Sequence, residues 1–167
     1  MRQSIARYRP KGQRKSPYIT LEGHENLKKE SETLWKKRRA CVQALSAAAA
    51  EGDRSENAEY IYRKKELREI DYRLRYLKKR LPDLKIVDQP PANPNNIYFG
   101  AWVTLADEED RETTYRIVGP DEFDQDDRYI SMDSPVAKAL LGKTLDDEVE
   151  VQTPAGVKYF DVIAVWY

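Results

Sequence analysis

Asp53 and Glu56 stand three residues apart in the stretch Gly52-Asp53-Arg54-Ser55-Glu56-Asn57-Ala58-Glu59-Tyr60. Carboxylates at this spacing have two readings. With Asp53 as a helix N-cap and Glu56 three positions on, they form a capping box, and acids in a first turn are further stabilised by the helix dipole. In the other reading the two acids repel each other on one edge of a turn, and a hard divalent cation relieves the repulsion. Mg²⁺ takes one or two protein carboxylates and completes its octahedron with waters and phosphate oxygens. Such a pair is therefore weak alone and a good half-site when another protein and a nucleic acid supply the rest. In two-metal phosphoryl chemistry one ion activates the attacking water and the other stabilises the leaving oxygen, so an arm delivering two carboxylates into another enzyme can recruit the second ion.

Other chemistry is poorly provided for. His24 is the single histidine, which excludes a His-based triad and a multi-His metal site. Cys41 is the single cysteine, which excludes an internal disulfide and a Cys-based metal cluster, fits a reducing cytoplasm and reads as a small residue on a helix seam. The seven glycines are scattered, so no phosphate-cradling loop is present.

The elements that must position Asp53 and Glu56 are two long helices. Thr20 is an N-cap residue with Glu22 in the turn that follows. Leu27, Leu34, Cys41 and Ala48 then recur every seven residues, with His24, Ser31, Arg38 and Leu45 on the adjoining line. The second helix repeats the pattern with Tyr60, Leu67, Leu74 and Leu81, flanked by Arg63, Ile70 and Leu77, and stops at Pro82. The polar residues Glu51 to Arg54 have the length of an antiparallel helix-helix turn. The acids thus sit at the tip of a hairpin whose first arm, residues 20–50, spans roughly 45 Å.

After the helices, Gln89-Pro90-Pro91-Ala92-Asn93-Pro94-Asn95-Asn96 is a linker by composition. Beyond it the periodicity predicts strands over Tyr98 to Leu105, Thr113 to Val118, Tyr129 to Met132, Glu148 to Gln152 and Lys158 to Trp166. A short helix over Val136 to Leu141 is capped by Ser134, with Pro135 at its first position and Gly142 at its end. The fold class is α+β: a basic disordered tail over residues 1–18, an antiparallel coiled-coil finger over 19–82, a linker over 83–97, and a mostly antiparallel sheet domain over 98–167.

The net charge of zero conceals an asymmetry. Residues 1–15 carry six basic side chains and no acid, residues 16–81 carry 16 basic and 11 acidic, and residues 82–167 carry seven basic and 18 acidic. A basic front half joined to an acidic back half suggests two partners, with nucleic acid the natural one for the basic surface. No apolar run, Ala47 to Ala50 included, approaches the ~20 residues of a spanning helix, and the basic N-terminus lacks an apolar signal region. Neither membrane insertion nor secretion is expected, and the expected location is the cytoplasm.

Four segments resemble the bacterial Gre transcript-cleavage factors, most closely the GreB branch of that family. They are Thr20-Leu21-Glu22-Gly23, the tip at 52–60, Lys64-Lys65-Glu66-Leu67-Arg68-Glu69-Ile70-Asp71, and, in the second domain, Tyr115-Arg116-Ile117-Val118-Gly119 with Asp133-Ser134-Pro135. The resemblance covers residues 18–167; the basic extension before it lies outside the pattern. It implies a finger that enters the secondary channel of RNA polymerase, where a backtracked transcript extrudes its RNA 3′ end. The family's two tip acids, carried over to Asp53 and Glu56, help hold a second Mg²⁺ jointly with the polymerase and orient the attacking water. The chain would then be no enzyme itself but an activator of the polymerase's nuclease, acting as a monomer. The resemblance further implies an FKBP-like C-terminal domain that docks at the channel entrance through the region of Asp133, Ser134 and Pro135, and RNA contacts from Arg54, Arg63, Lys64 and Arg68.

Two other functions remain open on the sequence: a regulator that occupies the same channel without stimulating cleavage, and a coiled-coil adaptor with a peptide-binding or prolyl isomerase domain. A half-site predicts weak Mg²⁺ binding by the isolated chain. Calorimetric titration should show no saturation in the micromolar range, and micromolar affinity would contradict the half-site reading.

Overall fold

The computed structural model describes residues 14–52 and 56–167. The elements run in the order β1 (Tyr18–Thr20), α1 (Leu21–Ala49), α2 (Ala58–Arg80), a 3-10 turn (Leu81–Asp83), β2 (Lys85–Val87), β3 (Trp102–Ala106), β4 (Glu112–Val118), β5 (Tyr129–Ser131), α3 (Pro135–Leu140), β6 (Glu148–Thr153) and β7 (Gly156–Trp166). They divide into two compact units, His24–Leu84 and the chain up to Gly23 together with Lys85–Tyr167. The fold class is the expected α+β, a long helical hairpin followed by a sheet domain with one short helix.

In the helical unit the heptad positions form the buried seam. Leu27, Cys41 and Ala48 of α1 are buried, as are Ile70, Leu74 and Leu77 of α2, and Leu34 and Leu67 pack against the Cys41–Ile70–Leu74 cluster. Bonds between the helices run in opposite directions along the two chains and establish the antiparallel pairing. Ala48 meets Asn57, Cys41 meets the Arg63 carbonyl, Arg38 meets Asp71 and Glu30 meets Arg73. Arg73 grips Glu30 as a fork, with Nε to Oε1 at 2.6 Å and Nη2 to Oε2 at 2.9 Å. Arg38, the charged interruption on the seam, reaches Asp71 Oδ1 at 2.7 Å. The Cys41 Sγ donates to the Arg63 carbonyl at 3.2 Å. Burial, and after it the negative charge of Glu66, pushes the Cys41 thiol pKa up, so it behaves as a packed, neutral group.

The junction between the helices departs from the capping-box expectation. The N-cap of α2 is Asn57, whose Oδ1 accepts from Tyr60 N at 3.1 Å, so the helix begins at Ala58 and Glu56 lies ahead of it. Asparagine caps as well as aspartate does. Only its amide can also donate, and Nδ2 donates to Ala48 O at 2.7 Å, satisfying a carbonyl at the end of α1. One side chain therefore ties the end of one helix to the start of the next.

At the start of α1, Thr20 is the expected cap: its Oγ1 accepts from Gly23 N at 3.0 Å. The residues just before it are ordered where a tail was expected. Tyr18–Thr20 pair in parallel with Lys85–Val87, within the expected linker, and Lys85 N donates to Pro17 O at 2.8 Å. Three-residue strands from distant segments carry too little periodicity to be visible in the sequence.

The main sheet has the order β5-β4-β3-β7-β6, antiparallel except for the parallel β4–β5 pair. Along β6 the period of two is clean, with Val149 and Val151 buried and Glu148 and Glu150 more exposed. Val136, Ala137 and Leu140 of α3 join these valines and Val162 in the core. Strand β3 starts at Trp102 instead of Tyr98 because Gly100, at φ +87°, turns the chain, and Ala101 N bonds back to Tyr98 O at 3.1 Å.

Because Asn57 makes two bonds, Asn57→Ala should lower stability by about 1–2 kcal/mol. Asn57→Asp, which keeps the Tyr60 bond and loses the donor to Ala48, should fall between the two. Urea denaturation of the three proteins checks the order, and an Asn57→Asp variant as stable as the wild type would contradict the role of the amide.

Candidate metal half-site at the hairpin turn

α1 ends with Ala50 N bonding to the Ser46 and Ala47 carbonyls and Glu51 N to the Ala48 carbonyl, and Gly52 takes φ +132°, a backbone open to glycine. Asp53 and Arg54 lie outside the described residues. Glu56 is exposed on the α2 side of the turn, and among the described residues no hydrogen bond or ion pair engages its carboxylate. A solvent-facing carboxylate suits a hard cation that keeps its waters. Among the described residues no group of three or more His, Cys, Asp or Glu is arranged to hold a metal ion.

Glu59, in the first turn of α2, pairs with Arg63, Oε1 to Nε at 2.8 Å, and Glu66 Oε2 meets Arg63 Nη1 at 2.9 Å. These hydrogen bonds, Glu59's first, raise the already high Arg63 pKa. Of the basic residues assigned to RNA, Arg63 is thus held between two carboxylates of its own helix. Lys64 and Arg68 are exposed, with the Lys64 Nζ 5.9 Å from the Tyr60 ring centroid.

The residues assigned to docking are largely internal. Asp133 is 5% exposed and Ser134 1% exposed. Asp133 Oδ2 accepts from Ser16 N at 2.9 Å, and Oδ1 accepts from the Ser16 hydroxyl. Ser134 Oγ caps α3 by accepting from Ala137 N at 3.2 Å. Pro135 is half-buried and is the part of the motif a partner can touch. Beside this contact Lys15 Nζ lies 3.2 Å from Asp121 Oδ1.

Three residues that matter to this arrangement escape sequence reasoning. Asn57 carries a signal, since asparagine is a preferred cap, but the acids around it compete for the position. Ser16 sits in a basic segment and Glu122 in an acid-rich one, Asp121-Glu122-Phe123-Asp124-Gln125-Asp126-Asp127, which reads as a solvated loop. Glu122 is nonetheless fully buried.

Family models match both halves of the chain. "Transcription elongation factor, N-terminal" covers residues 17–86, and "Transcription elongation factor, GreA/GreB, C-term" covers 91–167. The transcription elongation factor GreB of Pseudomonas aeruginosa is 57% identical over 164 residues, 98% of this chain and 98% of that protein. The GreB of Yersinia pestis is 54% identical over 154 residues, 92% of this chain and 90% of that protein. Among solved structures, the GreA factor homolog 1 of Thermus thermophilus is 25% identical at a TM-score of 0.41, covering 90% of this chain and 98% of that one. On these matches the chain belongs to the GreA/GreB family of transcription elongation factors.

Proposed function

We propose that the chain binds RNA polymerase through its sheet domain, places the helical hairpin in the secondary channel, and stimulates the polymerase's own Mg²⁺-dependent cleavage of a backtracked RNA 3′ end, rescuing arrested complexes. The observation that carries this reading is the Asn57 cap. Because Asn57 closes α2, the Glu56 carboxylate is not consumed as a capping group and stands exposed in the turn. Membership of an elongation-factor family supports the same reading.

In this reading Asp53 and Glu56 contribute carboxylate oxygens to a site whose remaining ligands belong to the polymerase and the RNA, and Glu56 helps orient the attacking water. When bound there, Mg²⁺ supplies Lewis acidity for activating that water and stabilising the leaving oxygen. In this reading the exposed Lys64 and Arg68 meet RNA phosphates, with Arg54 joining them by resemblance, while Arg63 is largely committed to Glu59 and Glu66. Around Asp133, Ser134 and Pro135, docking would run through Pro135 and the backbone, since the other two side chains hold the fold.

Single replacements Asp53→Ala and Glu56→Ala test the reading on a defined backtracked complex. Each should slow cleavage by on the order of 10²-fold at saturating protein, the scale of a lost water-orienting group, with half-saturating concentration little changed. Full activity in either variant would sink the reading. A wild-type protein that binds polymerase yet releases no 3′ fragment would mark a regulator acting by occupancy.

A further inference from the structure

Residues 14–17 carry no regular secondary structure, yet three of them in succession are bonded to distant parts of the sheet unit. Lys15 Nζ lies 3.2 Å from Asp121 Oδ1, Ser16 holds Asp133, and the Pro17 carbonyl accepts from Lys85 N at 2.8 Å. Just beyond them the buried Glu122 accepts from Thr20 N at 3.0 Å and from the Thr20 hydroxyl at 2.6 Å. A Cβ on Gly119 would lie 2.2 Å from the Tyr18 carbonyl oxygen, so the chain passes here in close contact with the loop after β4. The segment is a strap laid along the unit and fastened at each residue from 15 to 17.

Of these fastenings, the one at Ser16 reaches the docking motif. Asp133 lies in the turn between β5 and α3 and is 5% exposed. Its Oδ2 accepts from Ser16 N at 2.9 Å, and its Oδ1 accepts from the Ser16 hydroxyl. Both carboxylate oxygens are therefore used inside the unit, and a partner reaching for them would break two bonds to a charged acceptor. Two residues away on either side of this bonded pair the surface is open: Arg14 is exposed and Pro135 is half-buried.

We propose that Ser16 is a positioning residue for docking. By occupying both Asp133 oxygens it holds the strap against the turn that carries Pro135, so the surface offered to polymerase is composite, with the strap on one side and the start of α3 on the other. Asp133 then acts through the strap and does not itself touch polymerase. This inference rests on the reading that the sheet domain binds polymerase.

The test uses the full chain with polymerase stalled on a defined backtracked complex, measuring half-saturating concentration and maximal cleavage rate separately. Asp133→Ala should raise half-saturation about tenfold and keep the maximal rate within about twofold. Ser16→Ala, which loses the hydroxyl and keeps the backbone donor, should raise half-saturation about threefold and serves as the milder lesion should the Asp133 variant fail to fold. Ser16→Thr restores a hydroxyl and should match the wild type. Cys41 is buried, so a photo-crosslinking maleimide on Arg14→Cys reports on the strap alone. It should crosslink to polymerase, and adding Asp133→Ala or Ser16→Ala should weaken the crosslink. Unchanged half-saturation in Ser16→Ala, a loss confined to the maximal rate, or no crosslink from residue 14 in a protein that binds polymerase would overturn the positioning role. A wild-type protein that does not bind polymerase would instead refute the docking reading and take this inference with it.

Discussion

A buried carboxylate that accepts three hydrogen bonds is the constraint on which the N-terminal part of the sheet unit depends. Glu122 joins Gly119, Thr20 and, through the Thr20 hydroxyl, Gly23, so the loop after β4, strand β1 and the first turn of α1 form one bonded group. Each bond to a charged acceptor contributes about 1.5–3 kcal/mol, against the cost of removing the carboxylate from water. Asp133 repeats the device nearby by holding Ser16. Two acids from the most acidic third of the sequence thus organise the segment that leads into α1.

The helical unit is held differently. Its seam is thin, with the small residues Cys41 and Ala48 on α1 and Ile70, Leu74 and Leu77 on α2, and partly exposed ion pairs supplement it. Pairs of this exposure are each worth little, roughly 0–1 kcal/mol, but the Arg73–Glu30 fork and the Arg38–Asp71 bond also fix the register of one helix on the other. At the turn Asn57 performs with one amide what two side chains would otherwise do. Glu56, just ahead of it, is thereby released from capping, which connects the local architecture to the proposed chemistry.

Much of the fold was legible because periodicity reports it. The seven-residue repeat of Leu27, Leu34, Cys41 and Ala48 named the seam, and Thr20 and Ser134 were recognisable as caps from residue type and position. What stayed hidden depends on atoms brought together from distant segments. The Asn57 amide finds its partner only once the end of α1 lies beside it, and Glu122 is indistinguishable from its solvated neighbours until Thr20 and Gly119 surround it. For the same reason Asp133, assigned to docking by resemblance, gives no sign in the sequence that its carboxylate holds Ser16. The acid pair at the turn was legible as a motif, whereas the residue that caps α2 in its stead, Asn57, was not.

A shared metal site makes a demand that neither simple channel occupancy nor a purely structural turn makes: the hairpin must change how polymerase uses its metal. The most direct measurement is the Mg²⁺ concentration giving half-maximal cleavage of a backtracked complex, alone and with saturating wild-type or Glu56→Gln protein. If Glu56 supplies a ligand, the wild type lowers that concentration by about tenfold or more, equivalent to at least about 1.4 kcal/mol, and the glutamine variant loses most of the shift. An identical Mg²⁺ dependence with and without the wild-type protein would contradict the half-site.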